Sequence, residues 1–553
     1  MNDVNSKMFI SHIHIENFKG FYKDFNFDLK KGFNIIVGDN EAGKSTILEA
    51  INLALSGVLD GRYIRNDISQ YVFNNRIVDE YIKSVQDGNP IPPPYVLIEL
   101  FIEGENISDL EGNNNYKKER SCGIQFKIEF DETYQNQYQQ LISSQRLITL
   151  PIEYYDIEWN FFSADPVNSR SIPLKASLID SSKHRYRNGS DIYISRIVKD
   201  ILHDEEVIAI SQAHRQLKET FMSEQAIQDI NEKIKGAINV TDKDIRLSVD
   251  LSTSNAWETS LMTYLDEIPF QQVGKGEQTL IKTKLALSHR KAEEANVILL
   301  EEPENHLSHS NLNQLLRYIK ELNHEKQIII STHSSFVANK LGLLNLILLH
   351  DHKTTTFDSL KPDTQTFFER LAGYDTLRLI LCKKAILVEG DSDELVVQKA
   401  YMCLHNGRLP IEDKVEVISV GLSFLRFLEI AEKINKRVVI ITDNDGNITS
   451  LESKYSNYIG VNKKETIGIF YDSVVDECEN INNEQFNCNT LEPKIAKENG
   501  LDNMNKILGK NYSNENDLHK FMKNNKTECA LRLFNYQGKI IFPKYILDAI
   551  KDE

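Results

Sequence analysis

The sequence has 6 cysteines, Cys122, Cys382, Cys403, Cys478, Cys488 and Cys529, and no two of them stand in Cys-x-x-Cys spacing. That scatter argues against a zinc site and against a disulfide framework, so reduced thiols are expected. Apolar runs are short as well. None approaches the roughly 18 to 20 residues a membrane span needs, and no apolar signal segment opens the chain, so a cytoplasmic protein without a membrane partner is expected. Positive charge is also in deficit: the formal net charge is -17. A nucleic acid would be repelled at long range, and any contact with one must be local or bridged by a divalent cation.

What is present begins with length: 553 residues suggest about three or four domains. One stretch organises the first of them. Gly38-Asp39-Asn40-Glu41-Ala42-Gly43-Lys44-Ser45-Thr46 follows the apolar run Phe33 to Val37 and precedes a helical pattern from Ile47 to Leu55. Strand, glycine-rich loop and helix in that order read as a P-loop for ATP. Gly38 and Gly43 let backbone N–H groups turn inward around a polyphosphate, Lys44 reaches the β- and γ-phosphates, and Ser45 offers its hydroxyl to Mg²⁺. Asn40 and Thr46 complete the nucleotide-binding set. The bland alternative is a glycine turn with an incidental Gly-Lys-Ser.

A second apolar strand, Val297 to Leu300, runs into Glu301-Glu302-Pro303-Glu304. Two carboxylates at the end of a buried strand are Walker B chemistry: Glu301 holds Mg²⁺ through its water shell, and Glu302 orients or deprotonates the attacking water. Gln327-Ile328-Ile329-Ile330-Ser331-Thr332-His333-Ser334 adds a further strand with His333 just past its end.

Later, Lys384 to Val388 leads into Glu389-Gly390-Asp391-Ser392-Asp393-Glu394, and Arg437 to Ile441 leads into Thr442-Asp443-Asn444-Asp445-Gly446. Both are apolar strands ending in acidic turns, as in a parallel α/β sheet with its site at the carboxyl ends of the strands. Glu389, Asp393, Asp443 and Asp445 could meet at one edge. Carboxylates so clustered require cations, and hard oxygen donors select Mg²⁺ or Mn²⁺. With two metals, one activates water and the other stabilises the leaving oxygen of a phosphodiester.

Between these motifs the pattern is coarser. Short β-type runs fill 8–37, 85–94 ends in Pro92-Pro93-Pro94 as an exposed connector, and strands are expected over Gln125 to Phe130 and Ile152 to Phe162. From about 190 to 238 the period becomes helical, through Ile194, Ile197, Val198, Ile201, Leu202, Leu217, Phe221, Ile227, Ile230 and Ile234. That stripe is either intramolecular core or a subunit interface. A helix is expected over Thr279 to Ala292, and a connector over about 351–380.

Ile15-Glu16-Asn17-Phe18-Lys19-Gly20-Phe21 resembles the opening of the ABC-type ATPases that act on DNA, such as RecF and the SMC proteins. The resemblance implies a Mg²⁺- and γ-phosphate-sensing glutamine after the P-loop helix, for which Gln70 stands beside the alternative of a surface residue. It also implies a signature loop, Gly274-Lys275-Gly276-Glu277-Gln278, whose Gly274, Gly276 and Gln278 bind the γ-phosphate held by another subunit, with a helix-capping loop as the alternative. His333 matches the switch histidine. Glu301 departs from the usual Asp, which bears on hydrolysis rate more than on binding. P-loop, signature, Glu-Glu-Pro-Glu and Ser-Thr-His-Ser in this order resemble the ATPase half of the OLD (overcoming lysogenization defect) family. The later acidic motifs match its Toprim nuclease domain. That family adds Glu492 in Asn489-Thr490-Leu491-Glu492 as a metal ligand, and Lys526, within an expected helix, as the residue approaching the scissile phosphate; a plain surface lysine is the alternative.

The resemblance implies an α/β fold, an ABC-type (RecF/SMC-like) ATPase head over 1–375 with a helical insertion near 180–245, and a Toprim domain over 376–553. It implies an ATP-binding, metal-dependent DNA endonuclease in bacterial anti-phage defence, acting as a homo-oligomer, dimer or tetramer. Relatives such as the Gabija nuclease subunit and retron-associated effectors imply a partner encoded alongside, helicase-like or a retron component. The alternative class is a DNA-repair ATPase or clamp that binds metal without cutting.

Overall fold

The computed structural model describes residues 8–66, 68–143, 147–168, 171–180, 186–187, 190–191, 202–237, 247–248, 263–287, 295–322, 326–350, 352–370, 375–477 and 486–552. The chain forms two compact units, 1–337 with 345–354, and 338–344 with 355–553.

The first unit is built on two sheets. In the parallel one the order is Ala176–Asp180, Val297–Glu301, Gln327–Thr332, Phe33–Gly38, Leu346–His350 and Lys353–Thr356. Its inner strands Phe33–Gly38 and Gln327–Thr332 are buried from end to end and mostly apolar, because layers on both faces leave no solvent side to alternate with. The register is parallel from Ala176–Asp180 through Leu346–His350, so Asp180, Glu301, Thr332 and Gly38 arrive at one edge. The other sheet is antiparallel, with Phe9–Glu16 between Asp24–Asp28 and Val96–Glu103, followed by Ser121–Phe130 and Tyr155–Phe161. The helix Lys44–Ser56 joins the two. It buries Ile47, Leu48, Ile51 and Leu55 in their shared core, and it ends at Gly57 in the left-handed conformation, with Trp159 Nε1 donating to Ala54 O at 2.9 Å. Buried Gln327 staples the sheets, accepting from Ile10 N–H (2.9 Å) and donating to Ile10 O and Lys30 O.

The antiparallel sheet also buries a charge. His14, 1% exposed, meets Glu99 Oε2 at 3.1 Å through Nδ1, and Glu16 at 3.2 Å and Asp24 at 2.9 Å through Nε2. Burial opposes an imidazolium there, but the Glu16 and Glu99 carboxylates outweigh it and push the His14 pKa up to about 9. A pKa raised on folding stabilises fully below the ordinary value near 6.5 and loses that contribution as pH climbs through 9. Thermal stability of the parent, followed by tryptophan fluorescence, should therefore fall between pH 6.5 and 9.5, and His14→Gln should remove that slope. An unchanged slope in the variant would sink the assignment.

The second unit holds a parallel sheet in the order Val415–Ser419, Lys384–Val388, Arg437–Ile441 and Ile467–Phe470. The helices Asp391–Leu404, Leu491–Leu508 and Lys526–Asn535 pack into one core against it.

Several expectations are corrected. The stretch 351–380 is no simple connector: it contains Lys353–Thr356 and the helices Pro362–Arg370 and Asp375–Leu381. The helix expected around Lys526 is broken at Asn525 (φ -135°, ψ 42°), so Lys526 opens a new helix. The signature helix starts earlier than expected, as Lys275–Leu287, and 288–294 lie outside the described residues. Cys488 is disulfide-bonded, whereas Cys122, Cys382, Cys403 and Cys529 are free. The helical stripe is described as Asp204–Ser223 and Gln225–Ala237; Ile194, Ile197, Val198 and Ile201 lie outside the described residues. Leu217, Phe221 and Ile230 on those helices are exposed, while Ile227 is buried. Among the described residues, no helix is long and apolar enough to cross a membrane.

Candidate functional site

At the carboxyl end of Phe33–Gly38 the chain turns and enters Lys44–Ser56. A Cβ on Gly38 would stand 2.4 Å from the Leu349 carbonyl oxygen, and one on Gly43, at φ +101°, would stand 2.8 Å from the Phe21 ring. The loop is thus packed too closely for any side chain at either position. Asn40 is exposed, and Ser45 and Thr46 are partly exposed at the helix N-terminus, where free N–H groups and the helix dipole favour phosphate. Lys44 is buried and donates to Gly38 O (2.9 Å) and Asp39 O (2.8 Å). Burial pulls its pKa down, and the charges of Glu302, Asp39 and Glu304 oppose that pull, which places the ammonium in the field of the acidic turn.

Glu301 closes its strand in register with Asp180 and Ser331. Glu302 then adopts φ +40°, a left-handed conformation that costs a non-glycine residue on the order of 1 kcal/mol, and its N–H donates to Ser331 O at 2.9 Å. Its carboxylate accepts from Asn305 Nδ2 at 2.9 Å and meets His333 Nδ1 at 3.3 Å. Glu304 has a role that the Glu-Glu-Pro-Glu motif alone does not show. Glu304 Oε1 accepts from the Thr332 hydroxyl (2.5 Å) and the His333 N–H (3.2 Å) and lies 3.7 Å from His333 Nδ1, so it ties the acidic turn to the histidine. Asp180, at the end of its edge strand, is likewise not shown by a motif.

The helix Lys275–Leu287 starts beside this turn. A Cβ at Gly276 would meet His306 O at 2.5 Å, whereas Gly274 has open space around it. Gln278 is buried and donates to Val273 O at 2.7 Å. Gln70 lies on the short turn Gln70–Val72 and accepts the Leu150 N–H at 3.2 Å. The structure therefore gathers the P-loop, Glu301, Glu302 and His333 around one sheet edge, while the side chains of Gln70 and Gln278 bond to the backbone of neighbouring loops.

In the second unit Glu389 follows Lys384–Val388, and Asp443 and Asp445 follow the adjacent strand Arg437–Ile441. Asp393, in the first turn of Asp391–Leu404, accepts the Gly390 N–H at 2.8 Å. Glu492 is buried in the first turn of Leu491–Leu508, with Lys526 Nζ 3.3 Å away. Burial first, then the Glu492 and Glu389 charges, push Asp393 up to about 6 against the opposing Gly390 N–H and Lys526. Burial first, then Asp393, Glu492, Asp445 and Glu389, push Asp443 well above the carboxylate range. The acids therefore act on one another within one site. An all-oxygen set that is mutually repulsive fits a hard divalent cation, which Glu389, Asp393, Asp443, Asp445 and Glu492 would hold. Among the described residues, no three His, Cys, Asp or Glu side chains are already closed into a metal-holding group; Gly390 engages Asp393, and Lys526 engages Glu492.

Residues 8–338 match the family described as AAA ATPase domain. The chain belongs to that family. Residues 380–445 match "Overcoming lysogenization defect protein-like, TOPRIM domain", so the AAA ATPase domain is followed by an OLD-like TOPRIM domain, the pairing the OLD resemblance implied. The chain is similar to the structural maintenance of chromosomes protein 3 homolog of Plasmodium falciparum, 30% identical over 131 residues, covering 21% of this chain and 10% of that protein. It is also similar to the DNA replication and repair protein RecF of Vibrio cholerae serotype O1, 33% identical over 87 residues, covering 15% of this chain and 24% of that one. The chain thus spans a quarter or less of the length of these curated relatives. Among solved structures, the SmcHead bound to the C-winged helix domain of ScpA aligns at 15% identity and a TM-score of 0.33, over 63% of this chain and 98% of that one.

Proposed function

We propose that this chain is an ATP-binding, metal-dependent DNA endonuclease acting in bacterial anti-phage defence, with the head over 1–375 regulating a TOPRIM nuclease over 376–553. The observation that carries the reading is the placement of Glu389, Asp443 and Asp445 after two adjacent parallel strands, with Asp393 and Glu492 on helix first turns near enough for their charges to act on Asp443. That edge has no glycine-rich phosphate cradle, so it can approach a phosphodiester only through cations. Two Mg²⁺ or Mn²⁺ ions held there by the five acids would supply an activated water and a stabilised leaving oxygen. The five acids hold and orient the cations, and Lys526 brings a positive charge toward the scissile phosphate. In the head, Lys44 would bind the β- and γ-phosphates, Ser45 and Glu301 would hold Mg²⁺, and Glu302 would orient water beside His333, while Gln70, whose side-chain oxygen accepts the Leu150 N–H, would have to exchange that bond to sense the filled site.

Supercoiled plasmid incubated with the full chain in Mg²⁺ or Mn²⁺ should be nicked or linearised. No cleavage in either metal would overturn the reading. The second reading, a repair ATPase or clamp that binds metal and DNA without cutting, is favoured by the Lys526–Glu492 ion pair, and the same assay separates the two.

Gly274, Gly276 and Gln278 would serve the γ-phosphate of another copy, so the protein should be a dimer or tetramer. The exposed Leu217, Phe221 and Ile230 offer an apolar face for that contact. Light scattering should show an oligomer at micromolar concentration, and a monomer with and without ATP would count against it. A helicase-like or retron partner and a cytoplasmic setting complete the reading.

A further inference from the structure

We infer that Asn444 and Lys494 are positioning residues for the TOPRIM metal ligands, locking the Asp443–Asp445 turn and the Glu492 helix start to the segment 472–476. The inference rests on the metal-dependent reading above and adds how its ligands are held.

Asn444 stands between two of the acids and is 2% exposed. Its Nδ2 donates to Asp472 O (2.6 Å) and Val474 O (3.0 Å), and its Oδ1 accepts the Gly446 N–H at 3.0 Å, so both ends of the amide are used. The segment it grips follows the strand Ile467–Phe470. From the other side that segment is gripped by Lys494, 4% exposed, whose ammonium lies 2.7 Å from Asp472 Oδ2, 2.8 Å from Asp476 Oδ2 and 2.8 Å from Val474 O. Lys494 shares the first turn of Leu491–Leu508 with Glu492. Asn489 adds a bidentate clasp, accepting the Asp476 N–H (2.7 Å) and donating to Asp476 O (2.9 Å). Asn487 closes the ring: its Nδ2 donates to Asp445 Oδ1 at 3.0 Å, and its Oδ1 accepts the Asn489 N–H.

Hydrophobic burial does not hold this segment in place, since its own Val474 and Val475 are exposed. What holds it, beside the disulfide-bonded Cys488, is a set of mostly part-buried hydrogen bonds and ion pairs that run between the turns carrying Asp443, Asp445 and Glu492. Groups that orient metal ligands in this way typically set metal affinity by roughly 10- to 100-fold.

The test is Mn²⁺ binding to the full chain by isothermal titration calorimetry, which needs no turnover. Asn444→Ala should bind Mn²⁺ roughly 10- to 100-fold more weakly than the parent, and Lys494→Met should weaken it in the same direction. ATP binding at the head and the far-ultraviolet circular dichroism spectrum should be unchanged in both, which together report that both units are folded. If the parent binds Mn²⁺ and both folded variants match it within about twofold, well inside the range expected for orienting groups, this inference alone is wrong. If the parent binds no Mn²⁺, the metal-dependent reading fails and takes the inference with it. Hydrogen exchange on the metal-free parent covers the case of variants that do not fold. The Val474 and Asp476 amides, bonded to Asp472 Oδ1 and Asn489 Oδ1, should be protected, and exchange at free-chain rates would overturn the proposal.

Discussion

Asp443→Ala and Glu389→Ala should each lower DNA cleavage by on the order of a hundredfold or more, because a lost ligand removes transition-state charge stabilisation worth several kcal/mol. The two acids end adjacent parallel strands, and Asp443 is the one most burdened by its setting, with burial and then Asp393, Glu492, Asp445 and Glu389 all acting against its charge. Alanine at 443 relieves that repulsion, so the folded unit should lose no stability while its metal affinity falls. Lys526→Ala should cost less, since its ammonium is partly committed to Glu492 at 3.3 Å. ATP turnover should survive all three changes, because Glu301 and Glu302 form a separate acidic pair in the other unit. Cleavage at the parental rate by Glu389→Ala, or loss of ATP hydrolysis in a folded variant, would show that the two chemistries are not divided in this way.

The P-loop was legible because its spacing is its chemistry: Gly38 and Gly43 must be glycine where Leu349 O and the Phe21 ring press on the loop. Apolar strands ending in Glu301, Glu389 and Asp443 were legible for a similar reason, since a buried strand delivers its last residues to a sheet edge whatever lies around it. The edge strand Ala176–Asp180 was not legible. Its pairing with Val297–Glu301 is set by contacts more than a hundred residues away in sequence, and five residues of mixed polarity carry no period of their own. The helices Pro362–Arg370 and Asp375–Leu381 are too short for periodicity to separate them from a linker. Asn444, Asn489 and Lys494 looked like ordinary polar residues beside the motifs. Only the fold shows that they are buried and bonded to one another's loops. Glu304 lay in plain view, but its bond to Thr332 joins two strands that local sequence cannot pair.

Lys44→Ala should abolish measurable ATP binding in calorimetry, and Glu302→Gln should bind ATP while hydrolysing it on the order of a hundredfold more slowly. On the proposed reading the two losses differ because the side chains would meet different parts of the nucleotide. Lys44 is buried against the loop's own carbonyl oxygens at Gly38 and Asp39, and on the proposed reading it would exchange those acceptors for phosphate oxygens. Alanine leaves the loop with its N–H groups but without the charge that offsets the polyphosphate. Glu302 keeps its shape as glutamine and can still meet Asn305 and His333, so binding persists while the base for the attacking water is gone. Glu304→Ala should fall between them, with ATP bound normally and turnover reduced about tenfold, or roughly 1.4 kcal/mol in the barrier, because His333 loses the acceptor that holds its backbone and ring. Any change that Glu302→Gln causes in DNA cleavage would measure coupling between the head and the nuclease. Lys44→Ala binding ATP as tightly as the parent would remove the P-loop from the mechanism, and Glu302→Gln at parental turnover would hand the base to another residue at that edge, for which Asp180, in register with Glu301, is the nearest acid on a neighbouring strand.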